Sequence, residues 1–255
     1  MDCALSRWRQ GPCYSLPMSE PKLLLKRDSA VLTLVLNRPN KLNAIDNELA
    51  ASLLEALDTA AADSSIRVIR IAGSGRAFCA GRDVSEAPTD KDLELVQAVA
   101  KSIVGNPKPV VAAVHGWTVG AGLEWMLNAD IVYACDDTKF KLPEASIGVF
   151  VTGGLVATLP AAIGLTRAKA LMLLGDEISA RQAADWGLVY RVLPKEEMDA
   201  VTMDACQRLT ELKPQTAMQF KRVLNMFGLE GFDKAINEET NVQRILGRSA
   251  APPST

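Results

Sequence analysis

The sequence predicts an α/β fold with a helical C-terminal part, on two main observations. Over the first two thirds of the chain, short β-branched runs and helix-spaced apolar runs follow one another in a repeated order of strand, strand and helix. From Leu155 onward the apolar spacing is mainly helical. With 255 residues, the chain suffices for one large domain, or one domain with an appended helical part, and buries most of its apolar surface.

Taken in order, "KLLLKRDSAVLTLVL" (22–36) reads as a hairpin turning at Asp28 and Ser29, because "AVLTLVL" is rich in β-branched residues. A loop, "NRPNKLNAID" (37–46), leads to a helix over 47–63 with Leu49, Leu53, Leu54 and Leu57 on one side and Asp46 placed as its cap. "RVIRIAG" (67–73) is a strand, "SGRAFCAGRDV" (74–84) a polar loop, 90–104 a second helix and "KPVVAAVHG" (108–116) a buried strand. "DIVYAC" (130–135) is another strand, and 138–154 a short strand with a loop. Helices follow over 155–164, 166–175 and 179–187, then a short strand "VYRVL" (189–193), then helices over 196–212, 214–227 and 231–247. Residues 1–17, with two arginines and almost no acid, form an N-terminal extension outside the fold, and the proline-rich "RSAAPPST" (248–255) is a flexible tail.

Composition excludes several classes of function. With 48% hydrophobic and 23% charged residues and a net charge of −2, the chain has no polyelectrolyte character, so no nucleic-acid partner is expected. No apolar stretch reaches the roughly 18 residues of a membrane span, so no membrane partner is expected either. The five cysteines are scattered without a CxxC pair, which suits a reducing, cytoplasmic compartment and gives no zinc site; a single histidine, His115, cannot build a multi-histidine metal centre. Any chemistry therefore rests on carboxylates and backbone, with no metal.

"VGAGLEWML" (119–127) places small residues ahead of an apolar helix that carries Glu124. A helix starting near Ala121 presents its first N–H groups and the positive end of its dipole to any developing oxyanion, and the flanking glycines permit close approach. A glutamate in that first turn also serves simply as a dipole-favoured cap. A second glycine loop, "GRAFCAGRDV" (75–84), offers another N–H at Arg82, and "LPEASIG" (142–148) presents Glu144 in an apolar setting. Two carboxylates and two donors make an acid–base site for a carbonyl compound if they meet in space.

The segments "LNRPNKLNAID", "SGRAFCAGRDV", "AAVHGWTVGAGLEWMLNADIVYA", "FKLPEASIGV" and "GDEISARQAADWGLVYRVLP", in this order, resemble the crotonase superfamily, the enoyl-CoA hydratase/isomerase family, from about Met18 to Phe227. The resemblance implies a spiral core of β-β-α turns over 18–193 and a helical trimerisation region over 194–247, assembled as a homotrimer or a dimer of trimers. It implies a coenzyme A thioester as substrate and no prosthetic group. The N–H groups of Arg82 and Ala121 would form the oxyanion hole, and Asn40, Lys41, Leu42, Ala80, Asp83 and Val84 would contact coenzyme A. Glu124 and Glu144 would be catalytic, in syn addition of water to a 2-enoyl-CoA, with Glu124 as base and Glu144 as acid or the reverse. A Δ3,Δ2-enoyl-CoA isomerase using Glu144 alone, and a non-catalytic acyl-CoA binder, are the competing readings.

Three features depart from the family pattern. Arg82 stands where alanine is common, and its side chain goes to solvent or recognises a polar acyl group. "GVFVTGG" (148–154) puts Phe150, Val151 and Thr152 near the acyl pocket, with Trp117 beside them; core packing is the other reading for these bulky side chains, as it is for Trp125. The chain closes with "GRSAAPPST" about where relatives continue into a further helical segment over the site, so either the adenine pocket is more open or a helix over 231–247 substitutes. His115 and Cys79 are expected to pack, and Lys221 and Arg222 to be surface charges.

Overall fold

In the computed structural model, which describes residues 20–85 and 89–249, the chain winds through successive turns of strand, strand and helix. β1 (Leu23–Asp28) and β2 (Val31–Leu36) are followed by α1 (Asn47–Ala62), and β3 (Val68–Gly73) and β4 (Ala77–Cys79) by α2 (Asp90–Gly105). β5 (Val110–Val114) and β6 (Trp117–Val119) lead to α3 (Ala121–Leu127); β7 (Ile131–Cys135) and β8 (Lys139–Lys141) lead to the one-turn α4 (Glu144–Ile147). Then come α5 (Leu155–Ile163), α6 (Leu165–Leu174), β9 (Ile178–Ser179), α7 (Ala180–Trp186), β10 (Arg191–Leu193), α8 (Met198–Glu211), α9 (Pro214–Gly228) and α10 (Phe232–Ser249).

The first turn places both strands in one sheet, and each of the next three donates one strand to each of two sheets. The larger sheet has the order β1-β2-β3-β5-β7-β10, parallel except for the β1-β2 hairpin; the smaller has the order β4-β6-β8-β9, parallel except at β9. β2 and β5 are buried at every position because both faces of the larger sheet are covered. Leu34, Leu36, Ile69 and Ile71 belong to the main core with Leu49, Leu53 and Leu57 of α1, whereas Val31, Val68, Val111 and Tyr133 pack with Met198 and Cys206 of α8.

The expected hairpin, helices and long strands are present, with Asp46 accepting the Leu49 N–H at 2.9 Å as the α1 cap. The loop read over 74–84 contains β4, and the stretch before α3 contains β6; three-residue strands are too short to show a period of two. Gly116, with φ 56°, turns the chain between the sheets, and a Cβ there would sit 2.1 Å from the Arg76 carbonyl oxygen. The last helix runs through Ser249, past the expected boundary at 247. The N-terminal extension 1–17 and residues 250–255 lie outside the described residues.

α9 corrects the sequence reading of Lys221. Its ammonium is buried, 2.9 Å from Asp130 Oδ2, and donates to the carbonyls of Ile103 and Lys108, while Arg222 remains exposed. Lys221→Met removes the cation from the partly exposed Asp130 carboxylate and the donor from the Ile103 and Lys108 carbonyls, and is expected to cost about 1–3 kcal/mol in a denaturant titration. An unchanged midpoint would show that the pair contributes nothing to docking α9.

Candidate active site

A cavity of about 350 Å³ opens where β4 and β6 leave the smaller sheet for α2 and α3. Ala80 to Ser85, Val119 to Ala121, Glu124, Pro143, Glu144, the 147–152 segment and Gln243 of α10 contribute to its wall.

Two backbone donors face it for topological reasons. Ile45 bridges Arg82 in parallel fashion: the Ile45 N–H donates to the Gly81 carbonyl at 2.8 Å and the Asp83 N–H to the Ile45 carbonyl at 2.8 Å. This uses the groups on either side of Arg82, so its own N–H points the other way. Ala121 is the first residue of α3, where an N–H has no intrahelical acceptor. Among the described residues neither N–H has a partner. Gly81, with φ 87°, lies against the α3 start, since a Cβ on it would fall 3.6 Å from Ala121 N.

The carboxylates come from α3 and α4. Glu124 is 1% exposed, and the Thr152 N–H donates to both its oxygens at 3.3 and 3.2 Å. Burial raises its pKa well above the usual carboxylate range, the charges of Glu239 and Glu144 push the same way, and the N–H groups of Thr152 and Gly153 pull against them. Glu144 turns its carboxyl inward over Gly120, where a Cβ would meet its Oε1 at 2.5 Å. Burial pushes Glu144 up to about 7, and its buried Oε2 has no partner. One carboxylate is thus held and the other is free on one oxygen.

The remaining expected residues divide. Ala80, Asp83, Val84, Phe150 and Thr152 line the cavity. Asn40 and Lys41 are exposed in a 3-10 turn beside it, and the Leu42 carbonyl accepts the Ala80 N–H at 3.0 Å. Trp117 is not in the cavity wall: it stands at the far end of β6 beneath the Lys139 ammonium, 5.2 Å from its ring centroid, and Val119 at the near end faces the site instead. Trp125 is a core residue whose indole N–H donates to the Val96 carbonyl.

The Arg82 guanidinium is neither free in solvent nor committed to the acyl side, lying 3.4 Å from Asp92 of α2 beside a second, polar cavity of about 340 Å³. In that cavity Ser85 and Arg38 hold Asp83 down at about 2. Cys79 is buried, its thiol pushed up to about 12, and it packs against Gly122. His115 Nε2 lies 3.0 Å from the Gly75 carbonyl. Among the described residues no group of three or more His, Cys, Asp or Glu converges to hold a metal, and no helix is long and apolar enough to cross a membrane. Gln243 and Glu239, unremarked in the sequence, bring α10 to the site.

The stacked β-β-α turns define the crotonase fold. A crystal structure of an enoyl-CoA hydratase from Mycobacterium avium subsp. paratuberculosis K-10 superposes with a TM-score of 0.85 at 30% identity, over 90% of this chain and 91% of that one. The family model for enoyl-CoA hydratase/isomerase matches residues 26–244, and the chain belongs to this family. It is 35% identical to the 2,3-dehydroadipyl-CoA hydratase of Escherichia coli K12 over 90% of this chain and 91% of that one. It is 33% identical to the 1,2-epoxyphenylacetyl-CoA isomerase of the same organism, over 88% and 89%. The family acts on coenzyme A thioesters without a prosthetic group, and the protein is an enzyme of this superfamily.

Proposed function

We propose that the protein is an enoyl-CoA hydratase. The observation that carries this reading is the pairing of two buried carboxylates of unequal environment, Glu124 and Glu144, with two unpartnered N–H groups in one cavity. The thioester oxygen sits between the N–H groups of Arg82 and Ala121, and their hydrogen bonds strengthen as enolate charge grows there. Water adds to C3, losing its proton to Glu124, whose oxygens the Thr152 N–H holds in place and whose proton affinity is raised by burial and by the charges of Glu239 and Glu144. Glu144, with no donor on Oε2, holds a proton near neutral pH and delivers it to C2. Each carboxyl group exchanges one proton, so the pair returns to its starting state through solvent.

Coenzyme A lies along Ala80, Asp83 and Val84, with Asn40, Lys41 and Leu42 beside it, and the acyl chain runs toward Phe150 and Thr152. The site calls for no prosthetic group. The fixed Glu124 and the free Glu144 also suit a Δ3,Δ2-enoyl-CoA isomerase, in which Glu144 alone carries a proton from C2 to C4.

Incubation with crotonyl-CoA is expected to abolish the enoyl-thioester absorbance and give a 3-hydroxyacyl-CoA. Conversion of a 3-enoyl-CoA without hydration would establish the isomerase instead, and coenzyme A binding without either turnover would establish an acyl-CoA binder. Phe220, Leu224 and Phe227 form an exposed apolar stripe on α9, which supports assembly as a homotrimer or dimer of trimers. The free, buried Cys79, Cys135 and Cys206 suit a cytoplasmic setting.

A further inference from the structure

The wall of the cavity opposite α3 is held by α10. Glu239, 0% exposed in the middle of that helix, accepts the Gly154 N–H on Oε2 at 2.7 Å and the Val156 N–H on Oε1 at 2.9 Å. These N–H groups open α5, which has no side-chain cap of its own, so Glu239 caps it from a distant part of the chain. One helical turn further on, Gln243 Oε1 accepts the Phe150 N–H at 2.7 Å. The segment from Phe150 to Val156 is therefore fastened to α10 at both ends. Between the two attachments, the Thr152 N–H is aimed at Glu124.

Two glycines let this segment pass between the carboxylates. A Cβ on Gly153 would fall 2.5 Å from Glu124 Oε2, and one on Gly154, where φ is 83°, would fall 2.2 Å from the Phe232 ring of α10. Both oxygens of Glu239 accept N–H groups here, which an amide with one acceptor oxygen cannot do. A buried carboxylate placed near a second buried carboxylate is nonetheless costly.

From this geometry we propose that Glu239 is a positioning residue for the reaction, holding from α10 the segment whose N–H groups orient Glu124. The inference rests on the reading of Glu124 as a reacting carboxylate. The charged groups facing Glu124 are Glu144 from α4 and Glu239 from α10, and both raise its proton affinity. Loss of the Glu239 charge therefore lowers the pH at which Glu124 ionises.

The test compares the full-length wild type with Glu239→Gln and Glu239→Asp. Crotonyl-CoA hydration gives kcat and KM, and the ionisation of Glu124 is followed by NMR of carboxyl-13C glutamate, its signal assigned with Glu124→Gln. Glu239→Gln is expected to lower kcat by about 10- to 100-fold with KM within about threefold, as misplacement of a reacting group does. Glu239→Asp keeps the charge but shortens the reach, so the Thr152 and Gly153 N–H groups loosen on Glu124 and its midpoint should move to higher pH; in Glu239→Gln the lost charge works against that rise. A variant that melts earlier but keeps wild-type kcat and Glu124 midpoint would reduce Glu239 to a cap and overturn the inference. If the wild type hydrates no 2-enoyl-CoA, the hydratase reading falls, and an unmoved Glu124 midpoint in Glu239→Asp would separately sink the positioning role. If Glu239→Gln fails to fold, Glu239→Asp decides: its shorter reach should lower kcat, and an unchanged kcat overturns the inference.

Discussion

Glu144→Gln is expected to lower kcat by about 10²- to 10⁴-fold, the range carried by a general acid, while making the folded protein more stable above neutral pH. Burial raises the Glu144 pKa from the ordinary 4.5 to about 7 in the folded state. Between these two values the folded protein keeps a proton that the unfolded chain has released, so the wild type loses stability as pH rises. Below pH 4.5 both states are protonated and the contribution vanishes; above pH 7 the penalty is complete, at about 3 kcal/mol. Glutamine fills the same volume and cannot ionise. Denaturant midpoints should therefore nearly coincide at pH 4.5 and separate by pH 8, with the variant more stable. In the wild type, kcat/KM should decline as pH rises through about 7, where the acid loses its proton. Parallel stability profiles in wild type and variant would remove the buried, proton-holding Glu144 from the mechanism.

Ala121→Pro is expected to lower kcat/KM by about 10²- to 10³-fold with little change in fold, corresponding to loss of one oxyanion donor. A backbone N–H cannot be deleted by ordinary side-chain exchange. Position 121 is a favourable exception, because proline is accepted at the first residue of a helix and no hydrogen bond of α3 is lost. The variant should retain its melting temperature and its affinity for free coenzyme A, since the thioester oxygen alone loses a partner. Retention of wild-type turnover would show that the charge forms elsewhere.

Arg82, Ala121, Glu124 and Glu144 could be singled out in the sequence because they lie in or just after glycine-bearing turns that lead into helices, but that they share one cavity was not legible, since sequence spacing does not bring distant turns together. The contributions of α9 and α10 were hidden for a definite reason. On α10, Phe232, Ile236, Glu239 and Gln243 share one stripe, with Glu239 and Gln243 at spacings that normally mark apolar core positions. The adjacent Glu238 and Glu239 look alike in sequence, and only the stripe separates them. On α9 the reading inverts: Phe220, Leu224 and Phe227 form the apolar face and are exposed, whereas Lys221 is on the face turned to the core. An amphipathic pattern identifies two faces, and a cation that finds an acid and two carbonyls can take the inner one. Trp117 misled because a short strand brings only its near end to the site. Of the smaller sheet only β8 was read, as the short strand in 138–154, whereas β4, β6 and β9, two or three residues long, were missed.

The Ile45 bridge that turns the Arg82 N–H into the cavity makes one of the two proposed oxyanion donors independent of the side chain that carries it. Alanine or arginine at 82 presents the same donor, so that position is open to drift without loss of the oxyanion contact. The arginine has taken up a separate attachment to Asp92 on α2, outside the chemistry. In the proposed reaction, its type is accordingly set by the removable groups, Glu124 and Glu144, whereas the enolate-stabilising donors come with the topology. A lineage built this way changes its chemistry by exchanging acids while the anchor for the thioester stays in place.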